Sequence, residues 1–251
     1  MLIIKKIITI LCFLLVISCS SKKKIENPLD NLTPEQLYTE GVKNIKYNSY
    51  DKSIVYFERI NQEYPYSPFA SKAQIMEAYA YYRTAKFEYS IAALDDYTSL
   101  YPGEKNIEYA YYLKALCYYD QIVNIKLDQL GTEKAKEALT EVINRFPESD
   151  YARDSKYKLN LVLDHLAGKE MEVGRFYLKK RDMIAAINRF KEVVGNYQTT
   201  SQIEEALYRL VESYHIIGVE EEAKRYAAVL GSNYPEGKWF KYAYKLINRK
   251  K

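Results

Sequence analysis

The chain is short of the residues from which most catalytic sites are built. Its two histidines, His165 and His215, stand fifty residues apart with no partner at ligand spacing, so neither marks a metal centre. Glycine totals nine in 251 residues, and no phosphate-loop, dinucleotide-loop or nucleophile-elbow motif occurs. Of three cysteines, Cys12 and Cys19 fall in the first 19 residues. Cys117 is left without an intramolecular partner, which excludes a disulfide scaffold. It reads as a small buried helix residue. The acidic pair Asp95-Asp96 is adjacent, so its side chains project about 100° apart on a helix and cannot share a substrate. Charge is nearly balanced at +4, with no basic block beyond Lys22-Lys23-Lys24 and Arg249-Lys250-Lys251. Nothing in it argues for nucleic acid. No apolar run approaches the roughly 20 residues of a membrane span. These absences predict a protein with no enzymatic activity, no cofactor and no metal.

What is present is a repeat. Tyr64-Pro65, Tyr101-Pro102, Phe146-Pro147 and Tyr234-Pro235 close four similar segments, and Tyr197-Gln198 closes a fifth without the proline. Twelve residues before each closing position stands Ser53, Ser90, Ala135, Ala186 or Ala223. Eight before stand Phe57, Leu94, Leu139, Phe190 and Ala227; five before stand Ile60, Tyr97, Val142, Val193 and Leu230. Steps of 4, 3 and 4 place these residues on one helical stripe. A helix cannot bury such a stripe alone, so each unit must stack on its neighbours. Gly41, Gly174 and other residues upstream supply a first helix to each unit. A glycine there is expected to meet the small residue of the second helix. The pattern resembles the tetratricopeptide repeat, a helix–turn–helix of about 34 residues. Spacings of 37, 45, 51 and 37 between closing positions put insertions within or between units.

The predicted fold is all-α: a tetratricopeptide-repeat solenoid of five antiparallel helix pairs with a C-terminal capping helix. The repeats lie at about 33–65, 68–102, 107–147, 150–198 and 201–235, within a domain spanning 33–247. Thr33-Pro34-Glu35-Gln36 reads as a capped helix start. Residues 150–180 read as one long first helix, with Gly168 as a point of bending. A short helix at 238–247 caps the stack, and 248–251 form a basic tail. Tyrosine is abundant, at 27 residues against 8 Phe and 1 Trp. First helices line the concave face of such solenoids. Tyr79, Tyr81, Tyr82, Tyr111 and Tyr112 are therefore candidates for a concave peptide-binding surface.

The N-terminus carries a different signal. Lys5 and Lys6 precede an apolar run, Ile7 to Ile17, broken only by Thr9. This is the pattern of a signal peptide. Val16-Ile17-Ser18-Cys19 resembles the bacterial lipobox, in which the cysteine thiol takes a diacylglyceryl group before cleavage. Residues 1–18 are read as a lipoprotein signal peptide, Cys19 as the lipid attachment site and 19–32 as the lipidated tether.

Five stretches carry a closer resemblance: Glu63-Tyr64-Pro65-Tyr66-Ser67, Ala78-Tyr79-Ala80-Tyr81-Tyr82, Ile107-Glu108-Tyr109-Ala110-Tyr111-Tyr112, Asp164-His165-Leu166-Ala167-Gly168-Lys169-Glu170 and Ala185-Ala186-Ile187-Asn188-Arg189-Phe190. In this order they resemble the BamD family of outer-membrane lipoproteins, in its alphaproteobacterial form. The resemblance implies a scaffold of the β-barrel assembly machine, anchored in the outer membrane by lipid and facing the periplasm. Its C-terminal repeats would hold the last POTRA domain of BamA, alongside other assembly-machine lipoproteins. Its N-terminal repeats would face unfolded outer-membrane protein precursors. The arginine of the family's Asn-Arg pair, which contacts BamA, falls by position on Arg189. A periplasmic repeat protein of the Tol–Pal-associated type is the alternative, but it normally lacks a lipobox and carries a coiled coil.

Overall fold

A computed structural model describes residues 29–122, 124–125 and 129–248. The signal peptide, Cys19, most of the tether and the last three residues of the basic tail lie outside them. Among the described residues there are eleven helices and no strand. They are α1 (Pro34–Lys46), α2 (Tyr50–Glu63), α3 (Ala70–Arg83), α4 (Phe87–Leu100), α5 (Ile107–Tyr119), α6 (Leu130–Arg145), α7 (Asp150–Lys179), α8 (Met183–Asn196), α9 (Ile203–Ile216), α10 (Glu220–Asn233) and α11 (Lys238–Ile247). Each helix packs on the next in sequence, and α11 closes the end against α9 and α10. First helices also touch one another, α1 with α3, α3 with α5 and α5 with α7. The odd-numbered helices thus form the inner row and the even-numbered ones the outer row.

The aromatic residue, more than the proline, defines where each second helix stops. Tyr64, Tyr101, Phe146, Tyr197 and Tyr234 are C-caps with φ between −127° and −137° and ψ between 41° and 54°. Each carbonyl then accepts from the amide three residues on: Ser67, Glu104, Ser149, Thr200 and Gly237. Proline suits the second position of such a turn because its φ is already set. Tyr197 keeps the same conformation with Gln198 after it. The turn is therefore specified by more than the imino acid.

Within pairs, the chain reverses through a residue in the left-handed region: Asn48, Ala85, Arg181 and Gly218. The following amides, of Ser49, Lys86, Asp182 and Val219, reach back to carbonyls five residues earlier, as in a Schellman cap. The third pair, with its longer connection, has no such residue among those described. Thr33 caps α1 with Gln36 completing a reciprocal capping box. Helix α7 runs its full length without a break at Gly168.

The helix crossings differ in one respect from the sequence expectation. The atoms nearest to a Cβ added at Gly174 are ring atoms of Phe190, the closest at 2.4 Å. At Gly41 they are ring atoms of Phe57, the closest at 2.5 Å. Glycine on the first helix thus makes room for a phenyl ring on the second, rather than meeting a small residue. Sixteen residues separate each pair, and the same interval relates Ala78 to Leu94 and Val211 to Ala227. Volume is traded across the crossing, larger against smaller, as close packing demands. Phe57, Phe190 and Leu94 are fully buried.

Candidate protein-binding surfaces

Three of the five candidate tyrosines lie along the inner row. Tyr79 of α3 accepts a hydrogen bond from Arg83 at 2.6 Å, and that guanidinium sits 4.7 Å from the Tyr50 ring centroid. Tyr82 donates to Asp120 Oδ2, just past α5, at 2.6 Å. Tyr112 of α5 donates to Asp154 Oδ2 of α7, also at 2.6 Å, and Lys158 donates to the same oxygen. The Tyr109 and Tyr112 rings pack on Tyr151 of α7, at 5.7 and 5.0 Å between centroids. Successive first helices are thereby tied by tyrosine–aspartate bridges.

These bridges decide what the row can do. Burial raises the Tyr82 and Tyr112 phenols above their ordinary range, and the aspartate acceptors raise them further. Both hydroxyls remain protonated donors, committed to carboxylates. For Asp154, desolvation acts upward, but hydrogen bonds from Lys158 and Tyr112 outweigh it and hold the carboxyl below its usual value. A segment lying in this row would meet fixed aromatic rings, with the Tyr82 and Tyr112 hydroxyls already committed, and would gain by stacking and apolar contact.

Tyr81 and Tyr111, on the same helices, face the outer helices instead, which corrects the concave-face expectation for them. Tyr81 is 8% exposed and donates to Glu58 of α2, with Tyr89 of α4 stacked at 5.4 Å. Tyr111 packs on Phe146 at 5.5 Å beneath the Arg145 guanidinium, against α6. Consecutive helical residues point about 100° apart, so a run of tyrosines must divide between faces. The acidic acceptors Asp120 and Asp154 and the Tyr50–Arg83 stack carry no signal in the sequence. Only the stacking of neighbouring pairs brings them into place.

On the outer side, α2, α3 and α4 enclose a groove of about 430 Å³ lined by Glu58, Asn61, Glu77, Tyr81, Tyr89 and Asp96 among others. Burial pushes the Glu77 carboxyl up to about 7, and nearby Glu58 adds to this, while the amide of Asn61 acts the other way. The folded-state value therefore exceeds the unfolded one. The proton-linked stability is fully present below the ordinary carboxylate range and is lost as pH rises through about 7. Glu77→Gln should accordingly raise unfolding free energy at pH 8, by up to about 3 kcal/mol. At pH 4 it should change little. Urea midpoints at the two pH values test this; an equal shift at both would contradict the assignment to Glu77.

Arg189 lies on α8 and donates to Glu170 of α7 at 3.1 Å, with its side chain 46% exposed. It is neither buried nor uncommitted. A surface pair of this kind contributes on the order of 0–1 kcal/mol, so an incoming carboxylate could share or displace Glu170 at little cost. Cys117 is fully buried, its thiol near Ser90 Oγ and pushed up to about 11 chiefly by burial, which makes it unreactive. Among the described residues no cluster of His, Cys, Asp or Glu has the arrangement of a metal site. None of the described helices is long and apolar enough to cross a membrane.

Stacked helix pairs, a repeated aromatic C-cap and an aromatic inner row define a tetratricopeptide-repeat protein. The YfiO family model, described as "Outer membrane lipoprotein", matches residues 30–230, and the chain belongs to that family. It is 44% identical over 247 residues to the outer membrane protein assembly factor BamD of Rickettsia prowazekii (strain Madrid E), covering 96% of this chain and 98% of that one. It is 43% identical over 234 residues to the outer membrane protein assembly factor BamD of Caulobacter vibrioides, covering 93% and 77% respectively. Among solved structures it is similar to the TPR2AB domain of yeast Sti1, with a TM-score of 0.43 and 14% identity over 85% of this chain and 81% of that one.

Proposed function

We propose that this chain is an outer-membrane protein assembly factor of the BamD type, a non-enzymatic scaffold of the β-barrel assembly machine. The observation that carries this reading is the 44% identity to a BamD protein across 96% of the chain. In this reading residues 1–18 are the signal peptide, Cys19 carries the lipid and 19–32 tether the repeats to the outer membrane on its periplasmic side. The repeats about 150–198 and 201–235 hold the last POTRA domain of BamA, with Arg189 at the contact. The inner row of repeats about 33–65, 68–102 and 107–147 receives precursor segments, with Tyr79, Tyr82 and Tyr112 presenting their rings. Fixed rings suit extended segments rich in apolar and aromatic residues, as barrel strands are.

Depletion of the protein in its own host should lower folded barrel proteins in the outer membrane while leaving other lipoproteins in place. Undiminished barrel insertion would overturn the reading. The anchor is tested separately: Cys19→Ala should remove the mature protein from the outer-membrane fraction. Recovery of that variant in the fraction, processed and without acyl chains, would contradict the lipobox assignment.

A further inference from the structure

The capping helix α11 carries a surface that the stacking of repeats does not explain. Its inner side is a conventional lid. Trp239 stacks on Tyr208 of α9 at 5.1 Å, Phe240 covers Gly231 of α10, and Ala243 is fully buried. Its outer side presents Lys238, Lys241 and Lys245, all exposed, at the i, i+3 and i+7 positions of one stripe. Tyr242 and Tyr244 flank the stripe, 49% and 61% exposed, with their rings leaning on Trp239 and Phe240.

The charge of this end is one-sided. Residues 238–251 contain six lysines and arginines and no carboxylate side chain. Without them, 31 basic side chains face 33 acidic ones in the rest of the protein. The excess positive charge is thus concentrated in these last 14 residues. Of the neighbouring acids, Glu221 pairs with Lys224, Glu222 with Arg225, and Glu205 and Glu212 with Arg209; Glu204 lies beside Gly237 at the start of α11, away from Lys241 and Lys245 along the helix. Among the described residues, no carboxylate pairs with Lys241 or Lys245.

We infer that the outer face of α11 docks on an anionic phospholipid surface. A lysine stripe edged by half-exposed tyrosines matches the two layers of such a surface. The ammonium groups meet headgroup phosphates, and the amphipathic rings settle at the interfacial level. An acidic protein surface would satisfy the lysines and could also use the tyrosines, but a helix of a lipid-anchored chain has the bilayer already beside it. The inference rests on the lipid-anchored reading above, which places a membrane within reach. With the lipid before α1 and α11 at the opposite end, contact at both ends lays the stack along the bilayer. Each lysine contributes about fivefold to partitioning at low salt, so the stripe is an orienting contact secondary to the anchor.

Trp239 is the chain's single tryptophan, so its fluorescence reports on α11 alone. The lipidated full-length protein is reconstituted on vesicles of phosphatidylcholine, or of phosphatidylcholine with about one third phosphatidylglycerol. Flotation with the neutral vesicles tests the anchor. Iodide quenching of Trp239, compared between the two lipids and corrected with free tryptophan for exclusion of iodide, tests the helix. Quenching should fall by about twofold or more on the anionic vesicles, and the difference should vanish in about 1 M salt, where charges are screened within about 3 Å. It should also vanish in the Lys238→Gln/Lys241→Gln/Lys245→Gln variant, whose exposed positions leave the helical circular-dichroism signal unchanged. Equal quenching on both lipids overturns the inference even if flotation succeeds. So does a triple variant that keeps the lipid difference but loses a co-purifying acidic protein, since the stripe would then be a protein-docking surface. Failure to float on neutral vesicles counts against the anchor alone.

Discussion

Phe190→Ala should lower the free energy of unfolding by about 3–5 kcal/mol, the cost of removing a buried ring and leaving its cavity. Phe190 is fully buried between α7 and α8, and its ring fills the space that Gly174 leaves open. A loss of that size is a large part of the roughly 5–15 kcal/mol that stabilises a typical domain. Because each pair stacks on the next, the effect should spread to the whole cooperative transition. Gly174→Ala should destabilise for the opposite reason, by about 1–3 kcal/mol, because its Cβ would sit inside contact distance of the ring. Combined, the two should cost clearly less than their sum, since alanine at 174 partly fills the cavity left by the ring. Chemical denaturation of the three variants gives the cycle. Strict additivity would mean that the ring and the glycine do not face each other.

If Arg189 makes the proposed contact, Arg189→Glu should weaken association with BamA by about 2–5 kcal/mol, the range for losing one partner of a desolvated charge pair. In the free protein the same change sets two carboxylates, Glu170 and the new one, beside each other on α7 and α8. Both remain partly solvated, so the fold should hold and the helical circular-dichroism signal should persist. Reversal of the partner's carboxylate to lysine should recover part of the binding. Glu170→Gln makes an informative control: it frees Arg189 of its own partner and should leave association unchanged or strengthen it. If Arg189→Glu binds as wild type does, the contact lies elsewhere on the repeats.

The ends of the second helices and the start of α1 were legible in the sequence because each is marked by a local device. Aromatic–proline steps close α2, α4, α6 and α10, and the Thr33–Gln36 box opens α1. The buried stripe was legible as well: Phe57, Leu94, Leu139 and Phe190 all have the burial that their spacing requires. What could not be read was anything created by stacking one pair on another. The partition of Tyr79, Tyr82 and Tyr112 from Tyr81 and Tyr111 depends on the angle at which pairs cross. Glu77 looks like an ordinary solvated glutamate until α2 and α4 close over it. Glycine at 41 and 174 signals close approach, but only the packed structure identifies a phenyl ring as what approaches.

The most direct test of the account is capture of the tagged, lipidated protein from solubilised envelopes, with its partners quantified by mass spectrometry. The account predicts BamA as a near-stoichiometric companion, lost in the Arg189→Glu variant, with precursor barrel proteins in lower amounts. Recovery of Tol–Pal components with BamA absent would contradict it.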